Sequence, residues 1–151
     1  MNVQDIMSSP VITIRADASV EEAAQLILER ATSCLPVLGD NGDLVGILTH
    51  TDFGFHRRFL PMASHLYTLM GSWVEPDTLE EVARAVSSKR VRDVMSHPVF
   101  TVQESTTVAE VAELMLNKNI NRFPVMRGNE LIGIITRHDF IKLMTMSPEP
   151  S

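Results

Sequence analysis

Two four-residue motifs place a hydroxyl and a carboxylate where a strand is expected to pass into a helix. They are Thr49-His50-Thr51-Asp52 and Thr136-Arg137-His138-Asp139. The first N–H groups of a helix lack intrahelical partners and carry partial positive charge, so they attract anions. Beside them, a threonine hydroxyl can bond a phosphate or ribose oxygen, and a carboxylate can accept hydrogen bonds from both hydroxyls of a ribose. The motif therefore holds the groups that a nucleotide needs.

The same residues also make good helix starts. Threonine is a favoured N-cap, and aspartate is favourable in the first turn of a helix. A duplicated cap would appear twice in the sequence, as a duplicated site would. The residue types alone leave both interpretations open.

The motifs belong to a duplicated sequence. Residues 3–14 return at 91–102, 88 positions later, and seven of these twelve positions are identical. Residues 46–53 return at 133–140, 87 positions later. The second copy has therefore lost one residue, which we assign to the turn at 127–129.

Each copy is predicted to fold in the order β-α-β-β-α. Short β-branched runs after a proline predict extended segments. Capping boxes at Ser19 with Glu22 and at Thr107 with Glu110 predict the first helices, which continue with apolar residues at helical spacing. Two strands joined by a turn then lead into each Thr-x-x-Asp motif. The predicted strands are 11–14, 35–38 and 44–49 in the first copy, and 99–102, 123–126 and 131–136 in the second.

The segment between the copies has a different character. Apolar residues from 55 to 73 recur at alternating steps of four and three, which predicts a helix interrupted at Pro61. Thr78 and Glu81 form a further capping box. We therefore expect a helical insertion. Its apolar stripe either covers the edge of its own domain or forms a dimer contact, and the sequence leaves both open.

The composition argues against several classes of function. The chain has 151 residues and a net charge of −6, which disfavours nucleic acid as a partner. No metal-ligand spacing, phosphate-binding loop or nucleophile elbow appears, so we expect neither a metal site nor an enzyme. The single cysteine, Cys34, has apolar neighbours that predict a buried thiol. The start of the chain lacks a signal-peptide pattern, and no run suits a membrane span, so we expect a cytoplasmic location.

Three motifs together resemble the CBS domain, the module named after cystathionine β-synthase. They are the Asp-apolar-Met-Ser-x-Pro-Val-x-Thr opening, the Leu-Pro-Val or Phe-Pro-Val strand, and the Gly-Ile-x-Thr-x-x-Asp-Phe ending. The resemblance implies an α/β (α+β) fold in which tandem β-α-β-β-α repeats pack as a pseudo-twofold pair with two clefts. It divides the chain into a first repeat at 1–59, a helical insertion or linker at 60–90, a second repeat at 91–146 and a flexible tail at 147–151.

The resemblance also implies a ligand and a role for each matching residue. In this family an occupied cleft usually holds AMP, ADP, ATP or S-adenosylmethionine. Asp52 and Asp139 would hold the ribose hydroxyls, and Thr49 and Thr136 would contact ribose or phosphate. Near the base would lie Ile12, Thr13, Phe100 and Thr101, and the pocket wall would include Val37 and Val125.

The two copies differ in their cations. Arg122 lies at a position that is basic in several energy-sensing members of the family and can meet phosphate there, whereas its counterpart is Cys34. Arg137 and His138 correspond to His50 and Thr51. The cations among these residues can pair with an anionic ligand. Ligands without phosphate, or with a single charge, are expected to favour the cleft that has fewer cations.

The resemblance implies a regulatory module that binds an adenosine nucleotide or S-adenosylmethionine. Such a module would form a homodimer, as is usual in the family, and would act on a separate effector protein. The alternative is a structural or oligomerisation module with empty clefts, in which Asp52 and Asp139 serve only the helix starts. An enzyme would need a titratable cluster that the sequence does not show.

Overall fold

A computed structural model describes residues 1–49, 52, 55–57, 67–69, 72–74 and 79–146, with the backbone alone for 55–57, 67–69, 72–74 and 79. The chain divides into two compact units. We call Met1–Val11 with Phe100–Ser151 the terminal unit, and Ile12–Val99 the central unit. Each unit contains one of the two Thr-x-x-Asp motifs.

The β-α-β-β order predicted at the start of each copy is present in both units. The central unit contains β1 (Ile14–Arg15), α1 (Val20–Arg30), β2 (Cys34–Leu38), β3 (Leu44–Thr49), β4 (Phe55–Arg57), β5 (Tyr67–Leu69), β6 (Ser72–Val74), α2 (Leu79–Ser87) and α3 (Val91–Val94). The terminal unit contains a 3-10 helix (Val3–Asp5), β7 (Val102–Gln103), α4 (Val108–Lys118), β8 (Arg122–Arg127), β9 (Glu130–Thr136), a second 3-10 helix (Arg137–Ile141) and α5 (Lys142–Thr145).

The duplication is preserved in the registers of the two sheets. In the central unit β1 runs parallel to β2 with Ile14 beside Val37, and β3 runs antiparallel to β2. In the terminal unit β7, β8 and β9 repeat this order, with Val102 beside Val125. The first strand of each sheet is shorter than predicted and begins at Ile14 or Val102. It pairs with only two residues of the next strand, so the residues before it have no ladder to join.

Each sheet packs on the helix that follows its first strand. Ser19 accepts a hydrogen bond from the backbone N–H of Glu22 at 3.1 Å and starts α1. Thr107 and Glu110 form a reciprocal capping box that starts α4. The apolar faces of α1 and α4 are buried in two separate cores. None of the described helices is long and apolar enough to cross a membrane.

The opening segment of each copy pairs with the sheet of the other copy. In the terminal unit Ser8 exchanges backbone hydrogen bonds with Ile134 at 2.8 and 3.0 Å. In the central unit Ser96 makes the same pair with Ile47, at 3.0 Å in each direction. The compact units therefore divide the chain differently from the repeated sequence. Each unit combines one opening segment with the other copy's strands.

The glycines before the two motifs allow this pairing. A Cβ atom on Gly46 would overlap the thioether of Met95. A Cβ atom on Gly133 would lie 2.5 Å from the sulfur of Met7 and 3.1 Å from the carbonyl oxygen of Ser8. Side-chain packing, more than a close approach of backbones, therefore requires glycine at these positions.

The helix predicted for residues 55–73 is wrong where the structure describes that segment. β4, β5 and β6 form an antiparallel sheet in the order β4-β5-β6. Aromatic and β-branched residues are common in these strands, and their preference for extended backbone outweighs a helical spacing. The helix predicted from Thr78 and Glu81 is confirmed as α2. Residues 58–66, 70–71 and 75–78 lie outside the described residues, and so do three of the six residues of the apolar stripe, Phe59, Met62 and Leu66.

Replacing Gly133 with alanine is expected to destabilise the protein by about 1–3 kcal/mol, because the added methyl must displace Met7 and crowd a backbone oxygen. Gly46→Ala is the matched control. The three atoms nearest to its methyl all belong to the flexible side chain of Met95, which can move aside, so the substitution should cost less. Urea unfolding measures both free energies. A Gly133→Ala variant as stable as the unchanged protein would contradict this account of the packing.

Candidate functional site

The motif of the central unit is organised by the carboxylate of Asp52. Thr49 ends β3, and Asp52 is helical three residues later. One carboxylate oxygen, Oδ2, accepts hydrogen bonds from the backbone N–H of Thr49 at 2.8 Å and from its hydroxyl at 3.3 Å. The other oxygen, Oδ1, accepts a bond from the hydroxyl of Ser96 at 2.8 Å. The carboxylate therefore joins the strand end to the opening segment that pairs with it.

The motif of the terminal unit repeats this arrangement around Asp139. Its Oδ2 accepts bonds from the N–H and hydroxyl of Thr136, again at 2.8 and 3.3 Å. Its Oδ1 accepts a bond from Ser8 at 3.1 Å. The same oxygen also lies 2.9 Å from the amine of Lys142. Asp139 is 3% exposed, whereas Asp52 is half-buried.

The geometry bears on the two interpretations that the sequence left open. The bonds from threonine to Oδ2 are those of a local helix start. The helix-start interpretation therefore explains the bonds to one of the two oxygens of each carboxylate. The bonds from Ser8 and Ser96 to Oδ1 come from segments distant in sequence, and a helix start does not require them. Neither serine was predicted as a site residue from the sequence. Their signal was the Met-Ser pair repeated in the two openings.

Arg122 lies beside the motif of the terminal unit. It faces Thr136 directly across the β8–β9 ladder, so both side chains start on the same face of the sheet. Its Nε atom is buried and has no hydrogen-bond partner among the described residues. A buried donor without a partner is costly and rare in a folded protein. Cys34, its buried counterpart, faces Thr49 in the same way and offers no cation.

The other predicted cations lie at the surface or outside the described residues. Arg137 and His138 are exposed and belong to the 3-10 helix that follows β9. The backbone N–H of Arg137 donates to the carbonyl of Asn121 at 3.0 Å. His50 and Thr51 lie outside the described residues. A hydrogen bond from Arg127 to Glu104, and the charge of that glutamate, raise the pKa of the exposed Arg127 at the other end of β8.

The residues predicted near the base lie just before the first strand of each sheet. Ile12 and Thr13 are half-buried, whereas Thr101 is exposed. Phe100 is 50% exposed, and the amine of Lys118 lies 4.6 Å from the centre of its ring. Half of Phe100 is therefore exposed on the surface of the terminal unit, with the lysine amine over one face of the ring.

Val37 and Val125 are fully buried in the two cores, so their predicted place in a pocket wall rests on the resemblance alone. Within the described ranges, no group of three histidine, cysteine or acidic residues is placed to hold a metal ion. The hydroxyls, N–H groups and cations around each motif can bind polar or anionic groups.

Comparison with other sequences supports the duplication. A family model for the CBS domain matches residues 3–53 and 91–145. The uncharacterized protein MJ1426 of Methanocaldococcus jannaschii is 31% identical over 156 residues, which cover 95% of this chain and 91% of that protein. In two further curated relatives the chain spans only 24% and 23% of the protein.

Two solved structures share the fold. The CBS domain pair of protein MJ0100, in complex with 5′-methylthioadenosine and S-adenosyl-L-methionine, has a TM-score of 0.68 and 26% identity, and covers 96% of each chain. CBSX2 in complex with AMP has the same TM-score and identity, covering 95% of this chain and 96% of that one. These matches confirm the predicted fold class. With both repeats matched in sequence and fold, the chain belongs to the CBS domain family.

Proposed function

We propose that this CBS domain pair is a regulatory module that binds an adenosine nucleotide or S-adenosylmethionine and acts on a separate effector protein. The observation that carries the proposal is the repeated junction of a Thr-x-x-Asp carboxylate with a serine of the paired opening segment. The similarity to MJ0100 and CBSX2 supports the ligand class, since those proteins were crystallised with adenosyl compounds.

In this proposal Asp52 and Asp139 accept hydrogen bonds from the ribose hydroxyls, and Thr49 and Thr136 line the same turns. The adenine base lies near Ile12 and Thr13 in one site. In the other it lies near Thr101 and the accessible ring of Phe100. Base stacking on an aromatic ring is a common source of affinity for nucleotides.

Arg122 is proposed to bind phosphate in the site of the terminal unit. Its buried Nε lacks an acceptor among the described residues, and a phosphate oxygen would supply one. Arginine binds phosphate through charge-assisted bonds of well-defined geometry. The central unit has Cys34 at this position, so ligands without phosphate should prefer its site.

The proposed output is a change in populations without turnover of the ligand. A ligand shifts an equilibrium only as far as it binds one state better than another. The opening segments are suited to this role, because a serine of each contacts the carboxylate that would hold the ribose. Ligand binding would therefore alter the bonds that hold these segments.

A homodimer is also proposed. Leu28 on α1 is 81% exposed, and Leu116, its counterpart on α4, is 76% exposed. Leu116 borders a largely apolar groove of about 310 Å³ that also contacts Ala112 and Phe140. Large apolar side chains repeated at one position of both copies suit association with an identical chain, whose surface is equally apolar.

Thermal unfolding with AMP, ADP, ATP and S-adenosylmethionine tests the ligand class. A ligand at 100 times its dissociation constant should add ~2.7 kcal/mol per site. That corresponds to several degrees of Tm, at roughly 2–4 °C per kcal/mol for a chain of this size. We expect a shift with at least one of these compounds and a smaller shift in Asp52→Ala or Asp139→Ala.

The unchanged protein must first be shown to be folded and free of co-purified nucleotide. Under those conditions, the absence of a shift with every compound would contradict the proposal and favour a structural module with empty clefts. Equal shifts in the unchanged protein and in both aspartate variants would place the ligand elsewhere.

Arg122→Met is expected to weaken AMP binding by roughly tenfold or more, because a hydrogen bond to a charged group typically contributes about 1.5–3 kcal/mol. Adenosine, which lacks the phosphate, should bind the variant as it binds the unchanged protein. Isothermal titration calorimetry measures both affinities. Arg92→Met removes an exposed arginine of the central unit and is the matched control. Equal losses for AMP and adenosine would contradict the phosphate role.

Sedimentation equilibrium tests the dimer. The unchanged protein should sediment as a dimer, and Leu116→Asp should shift it towards the monomer, because a buried carboxylate without a partner is costly at an apolar interface. Asn117→Asp adds the same charge to the next residue of α4 and should leave the dimer intact. A monomeric unchanged protein, or a Leu116→Asp variant that remains dimeric, would contradict the proposed face.

A further inference from the structure

Lys142 distinguishes the two motifs. Its amine donates to Oδ1 of Asp139 at 2.9 Å and to the backbone carbonyl of Ile6, also at 2.9 Å. The lysine side chain is 44% exposed, whereas the Asp139 side chain is 4% exposed. At the offset of the ending block, Lys142 corresponds to Phe55, which has no amine. The central unit therefore lacks this cation at the matching position.

The amine fills the last acceptor position of the Asp139 carboxylate. A carboxylate offers about four lone-pair positions. Asp139 receives Ser8 and Lys142 on Oδ1, and the N–H and hydroxyl of Thr136 on Oδ2. From the described residues, Asp52 receives only the three equivalent bonds without the amine. The described residues therefore leave one acceptor position of Asp52 for a ribose hydroxyl, and they leave none of Asp139.

A ribose can reach Asp139 only if one of the present donors leaves. The N–H of Thr136 belongs to the backbone at the end of β9. The hydroxyls of Thr136 and Ser8 are on short side chains of residues whose backbones are paired, with Arg122 and Ile134 respectively. Lys142 is the donor that can leave most easily, because its flexible side chain is already half in solvent and its amine is readily hydrated.

We propose that Lys142 competes internally with ribose for the carboxylate of Asp139. The proposal rests on the proposed nucleotide function. A ribose that binds Asp139 displaces the amine from the carboxylate and also from the carbonyl of Ile6. Occupancy of the Asp139 site therefore loosens the segment around Ile6. The lysine makes the two sites unequal and connects the second site to the start of the chain.

Lys142 should strengthen the binding of a phosphate group, since an amine near the ligand attracts the anion, whereas it weakens the binding of the ribose. Adenosine has the ribose hydroxyls and no phosphate, so its affinity reports the competition for Asp139 alone. The analogue 2′,3′-dideoxyadenosine also lacks the hydroxyls that compete for Asp139. A comparison of these two probes isolates the competition.

The test uses calorimetric titration in an Asp52→Ala background, which removes the other ribose carboxylate. Lys142→Met keeps most of the side-chain length and removes the charge. It should bind adenosine roughly two- to fivefold more tightly, the range expected when a partly exposed ion pair no longer competes. The affinity for 2′,3′-dideoxyadenosine should stay the same. Lys142→Arg retains the cation and should not tighten binding, and Lys89→Met, an exposed lysine, is the control for lost charge.

Hydrogen exchange provides a second readout, which reports on the segment around Ile6 directly. The amides of Ile6, Met7 and Ser8 should exchange faster in Lys142→Met than in the unchanged protein. They should also exchange faster in the Asp52→Ala protein when adenosine is bound. Tighter adenosine binding without faster exchange would overturn the connection to the start of the chain.

The outcomes separate this inference from the proposed function. Adenosine binding that is unaffected or weakened by Lys142→Met would overturn the competition and leave the proposed function intact. Equal tightening of adenosine and its dideoxy analogue would also overturn it, because the ribose hydroxyls would then have no part in the effect. An unchanged protein that binds no adenosine compound would overturn both.

Discussion

The hydrogen bonds around the Thr-x-x-Asp carboxylates are the interaction on which the rest of the structure depends. Each carboxylate holds the end of a strand through a threonine and an opening segment through a serine. The opening segment in turn completes the sheet, since Ser8 pairs with Ile134 and Ser96 with Ile47. Three residues before each threonine, a glycine leaves room for a methionine of the opening segment: Gly46 for Met95 and Gly133 for Met7. Loss of the carboxylate would therefore disturb the strand end, the helix start and the opening segment together.

The duplication serves as an internal comparison of what each residue contributes. Both copies retain the threonine, the aspartate and the distant serine, with nearly the same distances. They differ at Arg122 against Cys34 and at Lys142 against Phe55. Both differences place a cation in the terminal unit. Arg122 has a buried Nε without an acceptor in the part of the chain that the structure describes, and Lys142 occupies the carboxylate. The shared part explains a common ligand class, and the cations account for unequal sites.

Much of the fold could be predicted from local patterns. The strands from Leu44 to Thr49 and near Arg122 to Arg127 follow from short apolar runs that recur in both copies, and Thr107 with Glu110 marks a helix start through contacts three residues apart. The strands β4–β6 were missed because apolar residues at steps of three and four indicate a helix, and the preference of the aromatic and β-branched residues there for extended backbone was not weighed against that spacing. Ser8, Ser96 and Lys142 were missed because their partners lie elsewhere in the chain or depend on the side-chain path. Ser8 reaches Asp139 across 131 positions, and no local spacing reports such a contact.

The central claim is that these carboxylates are the points at which the ligand is held, and a crystal structure of the protein with AMP tests it most directly. The account predicts electron density for the nucleotide with its ribose hydroxyls at about 2.5–3.0 Å from the carboxylate of Asp52 or Asp139, the range of a hydroxyl bond to an oxygen acceptor. AMP bound away from both aspartates, or crystals grown at saturating AMP whose two motifs contain no nucleotide, would contradict it.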